Sequence, residues 1–274
     1  MATLCYIGSH GRINLKEQAD MEIRFDEQVV LITGASTGIG AALARAFGDA
    51  GAKVVVHYHR SKEAAEAVAR DVADGGGEAM LVQADAANPA DLAAMVKAVM
   101  AEYGHINILI NNAGDLVQRT PVAEIPDDVY HQIMDINMTA TFHMCQLVVP
   151  VMKQQGSGNI INVTSIAARN GGGGGSVIYA TSKGAVSTFT RGLAKELAPA
   201  NIRVNALSPG TILTPFHERH SPPERMAAMV ATIPMARAGV AEECVGAVFF
   251  LASEEMSSYV TGQIIEVNGG QFMP

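Results

Sequence analysis

No run of about 18 uncharged apolar residues occurs anywhere in the chain, so no membrane-spanning helix is expected. Residues 1–28 carry no basic segment followed by an apolar one, which argues against a secretory signal. With Gly8, Ser9, Gly11 and Asn14 in mixed company, residues 1–24 read as a loosely ordered extension, and Met21 is a candidate start. Three cysteines, Cys5, Cys145 and Cys244, are too few and too scattered for a disulfide framework or a zinc site. A reducing cytoplasm suits them. Basic residues are in deficit, 19 Lys and Arg against 27 Asp and Glu, and the net charge of −8 leaves no basic block to neutralise phosphates. Nucleic acid is therefore not an expected partner; solubility explains the charge. The eight histidines form no H-E-x-x-H pattern, and no metal site is expected. Ser165 is not set in G-x-S-x-G, which argues against hydrolase chemistry of that kind. Repeats, coiled coils and long linkers are missing too, and the low-complexity piece is the glycine run at 171–175.

What is present is a chain of 274 residues, 49% apolar, long enough to bury one sizeable core. Short β-branched runs alternate with alanine-rich helical stretches, the pattern of strands that cross over through helices into a parallel sheet. Strands are expected at 28–33, 53–58, 79–84, 106–111, 159–164, 202–207 and 263–267. Helices are expected at 39–50, 62–73, 89–103, 127–153, 176–197 and 241–251. The strands are apolar throughout rather than alternating, so both faces of the sheet should be covered. The expected fold class is α/β, doubly wound, as a single domain over residues 25–274 with a short insertion at 211–235.

The stretch from Thr33 through Gly34, Ser36, Thr37, Gly38 and Ile39 to Gly40 follows a strand and opens a helix. Backbone N–H groups and the helix dipole can there face a pyrophosphate, while glycine lets the chain approach it. A simple tight turn is the other reading. No Lys-Ser or Lys-Thr follows, which excludes a nucleotide-hydrolysing loop. After the second strand the sequence is His57-Tyr58-His59-Arg60-Ser61-Lys62, with no carboxylate before Glu63. An acid at that point would select the ribose hydroxyls of NAD. Arg60, with His59 or Lys62, instead suits the 2′-phosphate of NADP, so NADP(H) is favoured and NAD(H) is possible. A solvated cationic loop is the alternative for each residue.

Tyr179 and Lys183 lie four residues apart on an expected helix, fourteen residues after Ser165. That spacing puts phenol and ammonium on one face. A free phenol titrates near pH ~10, so proton transfer at neutral pH calls for a shift of about three units, or about 4 kcal/mol. One ammonium at about 4 Å supplies a term of that size at an effective dielectric near 20, and the expectation is a depressed Tyr179 pKa. Ser165 is placed to hold a substrate oxygen. Together with the glycine turn, the set points to hydride transfer between a nicotinamide and a carbon–oxygen centre.

These motifs, with Asn111-Asn112-Ala113-Gly114 after the fourth strand, Asn137 in the next helix and Pro209-Gly210 after the sixth, resemble the short-chain dehydrogenase/reductases over residues 25–270. The resemblance implies a Rossmann fold with a seven-stranded parallel sheet in the order 3-2-1-4-5-6-7. It also implies catalysis by Asn137, Ser165, Tyr179 and Lys183. Cofactor contacts are implied from Asp85, Ala86, Asn112, Ala113, Gly114, Thr164, Pro209, Gly210, Ile212 and Thr214, and a homotetramer packed through helices 127–153 and 176–197. Within the family, NNAGDLVQRT at 111–120, GTILTPFH at 210–217 and the glycine run are similar to reductases of keto-uronates from alginate breakdown. That narrower likeness implies a polar, cationic mouth from Gln118, Arg119 and His217. A 3-oxoacyl thioester reductase is the alternative enzyme, and an NADP-binding regulator without turnover the alternative of another class.

Overall fold

The computed structural model describes residues 23–274; the expected extension at 1–24, the candidate start at Met21 and Cys5 lie wholly or almost wholly outside the described residues. The chain runs β1 (Val29–Ile32), α1 (Gly38–Asp49), β2 (Lys53–Tyr58), α2 (Lys62–Asp74), β3 (Glu78–Gln83), α3 (Pro89–Tyr103) and β4 (Ile108–Asn111). It continues through α4 (Asp127–Met134), α5 (Ala140–Gln155), β5 (Gly158–Val163), α6 (Ala167–Asn170), α7 (Val177–Leu197) and β6 (Ile202–Pro209). The last part comprises β7 (Ile212–Leu213), α8 (Pro215–His220), α9 (Pro223–Val230), β8 (Gly239–Val240), α10 (Val245–Ala252), α11 (Glu254–Ser257) and β9 (Ile264–Val267).

Seven strands pair in parallel in the order β3-β2-β1-β4-β5-β6-β9. The seventh strand of the sheet is β9 because β7 and β8 pair only with each other, Ile212 opposite Gly239. Side chains alternate across each strand, so β1 sends Val30 and Ile32 to one face and Val29 and Leu31 to the other. The first face is covered by Leu43 and Phe47 of α1, Val68 and Val72 of α2, and Val248 and Leu251 of α10. Phe25, Phe47 and Phe249 close it with ring centroids 4.7 to 5.0 Å apart. Leu92, Met95 and Val99 of α3, Met144, Val148 and Met152 of α5, and Leu197 of α7 cover the second. Layers on both faces explain why the strands are apolar at consecutive positions.

Helix ends follow local chemistry. Asn88 accepts from the Ala90 N–H ahead of Pro89, and Gly104 takes the left-handed conformation that stops α3. The helix expected at 127–153 is not continuous: residues 135–139 form a π turn between α4 and α5. Within it the Asn137 amide nitrogen donates to Ile133 O at 2.8 Å and to Asp115 O at 2.7 Å, contacts that the wider turn accommodates. The helix expected from residue 241 begins instead as a 3-10 turn over Ala241–Cys244, with α10 following it.

Strand order reverses between β1 and β4, and the chains leaving their carboxyl ends diverge there. A crevice at such a switch point is where doubly wound sheets bind ligands.

Candidate active site

A cleft of about 990 Å³ occupies this position. Its floor is tied together by Thr33, whose hydroxyl accepts the N–H groups of Asn112 and Ala113, both at 3.0 Å. The Asn112 amide returns bonds to Thr33 O at 2.9 Å and Gly34 O at 3.0 Å. Asn112 thus braces the turn while Ala113 and Gly114 line the cleft. Gly34 and Gly38 have φ of +66° and +57°, a region that glycine enters freely. Gly40 lies behind the turn, where a side chain would run into Gly34 O. No acidic residue stands in the first turn of α1 and the Thr37 side chain makes no capping bond, while Ser36, Thr37, Gly38 and Ile39 line the cleft. An amide-rich helix start free of carboxylates suits a pyrophosphate.

His57, near the end of β2, is buried at 2% exposure. It accepts the Gly34 N–H at Nδ1 (2.9 Å) and donates from Nε2 to Ala84 O (3.0 Å). Burial lowers its pKa, so the imidazole is neutral and carries its proton on Nε2. No linear motif announces this contact, because the glycine turn and β2 meet only in the folded sheet.

His59, Arg60, Asp85 and Ala86 line the far end of the cleft. His59 Nε2 lies 3.8 Å from Asp85, and Asp85 also accepts the Ala87 N–H at 2.9 Å. Lys62 is turned to Glu66 at 3.6 Å. Arg60 is exposed and meets no carboxylate among the described residues.

Ser165, just beyond β5, is held by its own backbone, the hydroxyl accepting the Ala167 N–H at 3.1 Å. The Tyr179 phenol shares the cleft with it, and the nearby hydroxyl acts to lower the phenol's pKa. Lys183, one turn along α7, is 3% exposed, and Nζ donates to Val163 O at 3.0 Å. Thr164 lines the cleft beneath and donates to Lys183 O at 2.8 Å. Asn137 is 0% exposed, and its Oδ1 is buried without a hydrogen-bond partner among the described residues. A methyl group at Gly114 would lie 2.6 Å from that oxygen and 2.9 Å from Lys183 Nζ, so both converge on one point.

The electrostatics differ from the sequence expectation. Burial pushes Tyr179 up to about 12, partly offset by the neighbouring Ser165 hydroxyl. Lys183 Nζ stands 5.9 Å from the phenol ring centroid and spends its bond on Val163 O. Burial lowers the ammonium itself to about 8. Spacing on the helix brings the two groups together, but loss of water outweighs their interaction.

At the mouth, Pro209, Gly210, Ile212 and Thr214 line one wall with Phe216, whose ring centroid lies 5.7 Å from that of Tyr179. Arg119 and His217 also line the cleft, whereas Gln118 is exposed outside the lining. His217 is no cation: burial, Arg119 and His220 lower it to about 4, and Nδ1 bonds the Ser221 hydroxyl at 3.0 Å. Asp115, Arg225 and Gln271 line the mouth as well, and no sequence motif gives any of the three a role. Asp115 adjoins the Asn-Asn-Ala-Gly motif and was open to detection there; Arg225 lies in a stretch without a pattern. The glycine run is not slack. Gly175 O accepts the Thr120 N–H at 2.9 Å, and a side chain at Gly175 would meet that nitrogen at 2.7 Å.

Comparison with known proteins agrees with this architecture. A family model described as enoyl-(acyl carrier protein) reductase matches residues 34–271. The chain is 39% identical over 246 residues to a 3-oxoacyl-[acyl-carrier-protein] reductase of Synechocystis sp., covering 90% of this chain and 97% of that protein. Among solved structures, a short-chain type dehydrogenase/reductase from Mycobacterium marinum superposes with a TM-score of 0.86 at 37% identity, covering 92% and 98% of the two chains. The NADH-dependent reductase A1-R' responsible for alginate metabolism does so with a TM-score of 0.83 at 33% identity, covering 91% and 98%. Sheet order, cleft and relatives together assign the chain to the short-chain dehydrogenase/reductase family, as an NAD(P)-dependent oxidoreductase that interconverts a carbonyl and an alcohol.

Proposed function

We propose that this cleft reduces a ketone or aldehyde on a small polar substrate, such as a sugar or keto-uronic acid, or runs the reverse oxidation. The observation that carries the reading is that Ser165, Tyr179 and Lys183 line one cleft, with Lys183 buried one turn beyond Tyr179 along α7. Ser165 holds the substrate oxygen and Tyr179 delivers a proton to it as general acid. With a pKa of about 12 the phenol is protonated at neutral pH, the form that reduction requires. Lys183 binds the nicotinamide ribose and, with Asn137 converging on the same point over Gly114, passes on the replacement proton. When bound, the nicotinamide supplies the hydride, and the chain orients the reactants and excludes water. Gly34, Ser36, Thr37, Gly38 and Ile39 hold the pyrophosphate, with Gly40 behind them. Asp85 and Ala86 flank the adenine, and Asn112, Ala113, Gly114, Thr164, Pro209, Gly210, Ile212 and Thr214 frame the remainder. Arg119 and His217 border the substrate.

NADP(H) is favoured over NAD(H) because Arg60 meets no counter-ion among the described residues and no carboxylate ends β2. The protein works as a cytoplasmic homotetramer of one catalytic domain, residues 25–274. Among the described residues no helix is long and apolar enough to cross a membrane. Tyr130, Phe142 and Val177 expose apolar surface on α4, α5 and α7, the helices through which the subunits would pack. Reduction of 3-oxoacyl thioesters is the second reading, favoured by the Synechocystis relative.

Turnover with NADPH and NADH across keto acids, sugars and 3-oxoacyl thioesters tests these assignments. Tyr179→Phe abolishes reduction while the nucleotide still binds, and near-normal activity in that variant rejects the proton donor. A tenfold preference for NADH, about 1.4 kcal/mol, overturns the nucleotide assignment.

A further inference from the structure

Two guanidinium groups share one small surface at the mouth of the cleft. Arg119 is anchored by Nε to His220 O at 2.8 Å and by Nη1 to Gly173 O at 2.9 Å and Gly174 O at 3.3 Å. Arg225, on α9, reaches the same Gly173 O with Nη1 at 3.5 Å. The glycine run makes this approach possible, because a side chain at Gly174 would lie 2.7 Å from both terminal nitrogens of Arg225. Neither arginine pairs with a carboxylate among the described residues.

Local acids do not answer this charge. Asp115 is engaged by His220 at 2.6 Å and by Arg219 at 3.4 Å. His217 is held neutral by burial, so the mouth owes its positive character to arginine. The two like charges repel, and burial with the neighbouring Arg225 disfavours even the Arg119 proton, although a guanidinium stays charged. Among the described residues, Arg119 retains Nη2, and Arg225 nearly its whole fork, without a protein partner. Unspent, preorganised forks beside a proton donor match a planar carboxylate, which they bind through parallel charge-assisted hydrogen bonds. The pyrophosphate turn lies elsewhere, at the start of α1.

We infer that Arg119 and Arg225, seated on the 171–175 glycine run, form a receptor for a free carboxylate, so that the substrate is a carbonyl compound carrying an acid group. This rests on the reading that Ser165 and Tyr179 bind the carbonyl of the same molecule. Gln118 and His217 are not the charge-recognising residues. A thioester, which has no free carboxylate at the acyl end, leaves both forks unanswered.

The test is calorimetric binding of D-gluconate and, separately, D-gluconamide to the full chain loaded with NADP+, neither probe offering a ketone to reduce. Arg225 is the residue to change, since its one hydrogen bond among the described residues is long, whereas Arg119 also braces two loops. The wild type should bind gluconate at least tenfold more tightly than gluconamide. That ratio should fall at least fivefold in Arg225→Ala and recover in part in Arg225→Lys, which keeps the charge without the fork. Equal binding of the two probes by the wild type, or a ratio that survives Arg225→Ala, overturns the inference. Turnover of the carbonyl panel separates this from failure of the proposed function. A chain that reduces neutral ketones yet ignores the gluconate charge loses only the receptor, whereas one that discriminates the probes but reduces nothing loses only the reaction.

Discussion

Gly114→Ala probes the proposed catalytic constellation with a single methyl group. Gly114 does not have a left-handed φ, so alanine fits the backbone and its effect is confined to space. The methyl would lie 2.6 Å from Asn137 Oδ1 and 2.9 Å from Lys183 Nζ, against an ordinary separation of roughly 3.5 Å. Both contacts fall short, by about 0.9 and 0.6 Å, so both must lengthen. Asn137 resists, since it is fully buried and its amide nitrogen is fixed to Asp115 O and Ile133 O. The backbone at residue 114 is therefore pushed away from Asn137, and Lys183 gives way before the methyl group, weakening its bond to Val163 O. A hydrogen bond from a charged group is worth about 1.5–3 kcal/mol, and a displacement of about 1 Å in a catalytic group costs on the order of 10²-fold. Turnover should fall by about 10- to 100-fold, or about 1.4–2.7 kcal/mol, while overpacking lowers stability by roughly 1–3 kcal/mol. Steady-state kinetics at saturating nucleotide, with a urea midpoint for the same variant, measures both. Turnover within about threefold of the wild type would show that the point where Lys183 and Asn137 converge has no part in proton transfer.

Gly40→Ala should act on the nucleotide instead, because its side chain meets the carbonyl of Gly34, which cannot swing aside as a lysine can. Calorimetry should give at least a tenfold loss of NADPH affinity, and an unchanged Kd would remove the glycine turn from the phosphate site. Stability should also depend on acid. His217 at about 4 and the lowered His57 take up fewer protons folded than unfolded between that range and the ordinary histidine value near 6.5. Their contribution is complete above pH ~6.5 and is lost as pH falls, by about 1.4 kcal/mol per unit for a fully depressed histidine. Urea midpoints at pH 7.5, 6 and 5 should drop steadily, more steeply than in His217→Asn; a flat profile contradicts the buried neutral imidazoles.

Local sequence held most of the scaffold. Seven apolar runs, the glycine turn, Asn88-Pro89 ahead of α3 and the four-residue spacing from Tyr179 to Lys183 each act within one turn or one strand, where steric and hydrogen-bond preferences are decided by neighbours in the chain. Boundaries failed where distant groups intervene. The π turn accommodates a bond from Asn137 to Asp115 O, 22 residues away, and β7 and β8 are too short to show a period of two before they pair.

The site divides along the same line. Which residues carry protons, hydroxyls and charge, and that a strand feeds a glycine turn into a helix, was written in the linear order. The direction of the Tyr179 pKa, the neutrality of His57 and His217, and the meeting of Arg119 with Arg225 across more than a hundred residues were decided only by the folded chain. Burial and long-range contact set those properties: removing water penalises a charge according to everything that surrounds it, and what surrounds each group is fixed by how β-strands, loops and helices far apart in sequence come to rest against one another.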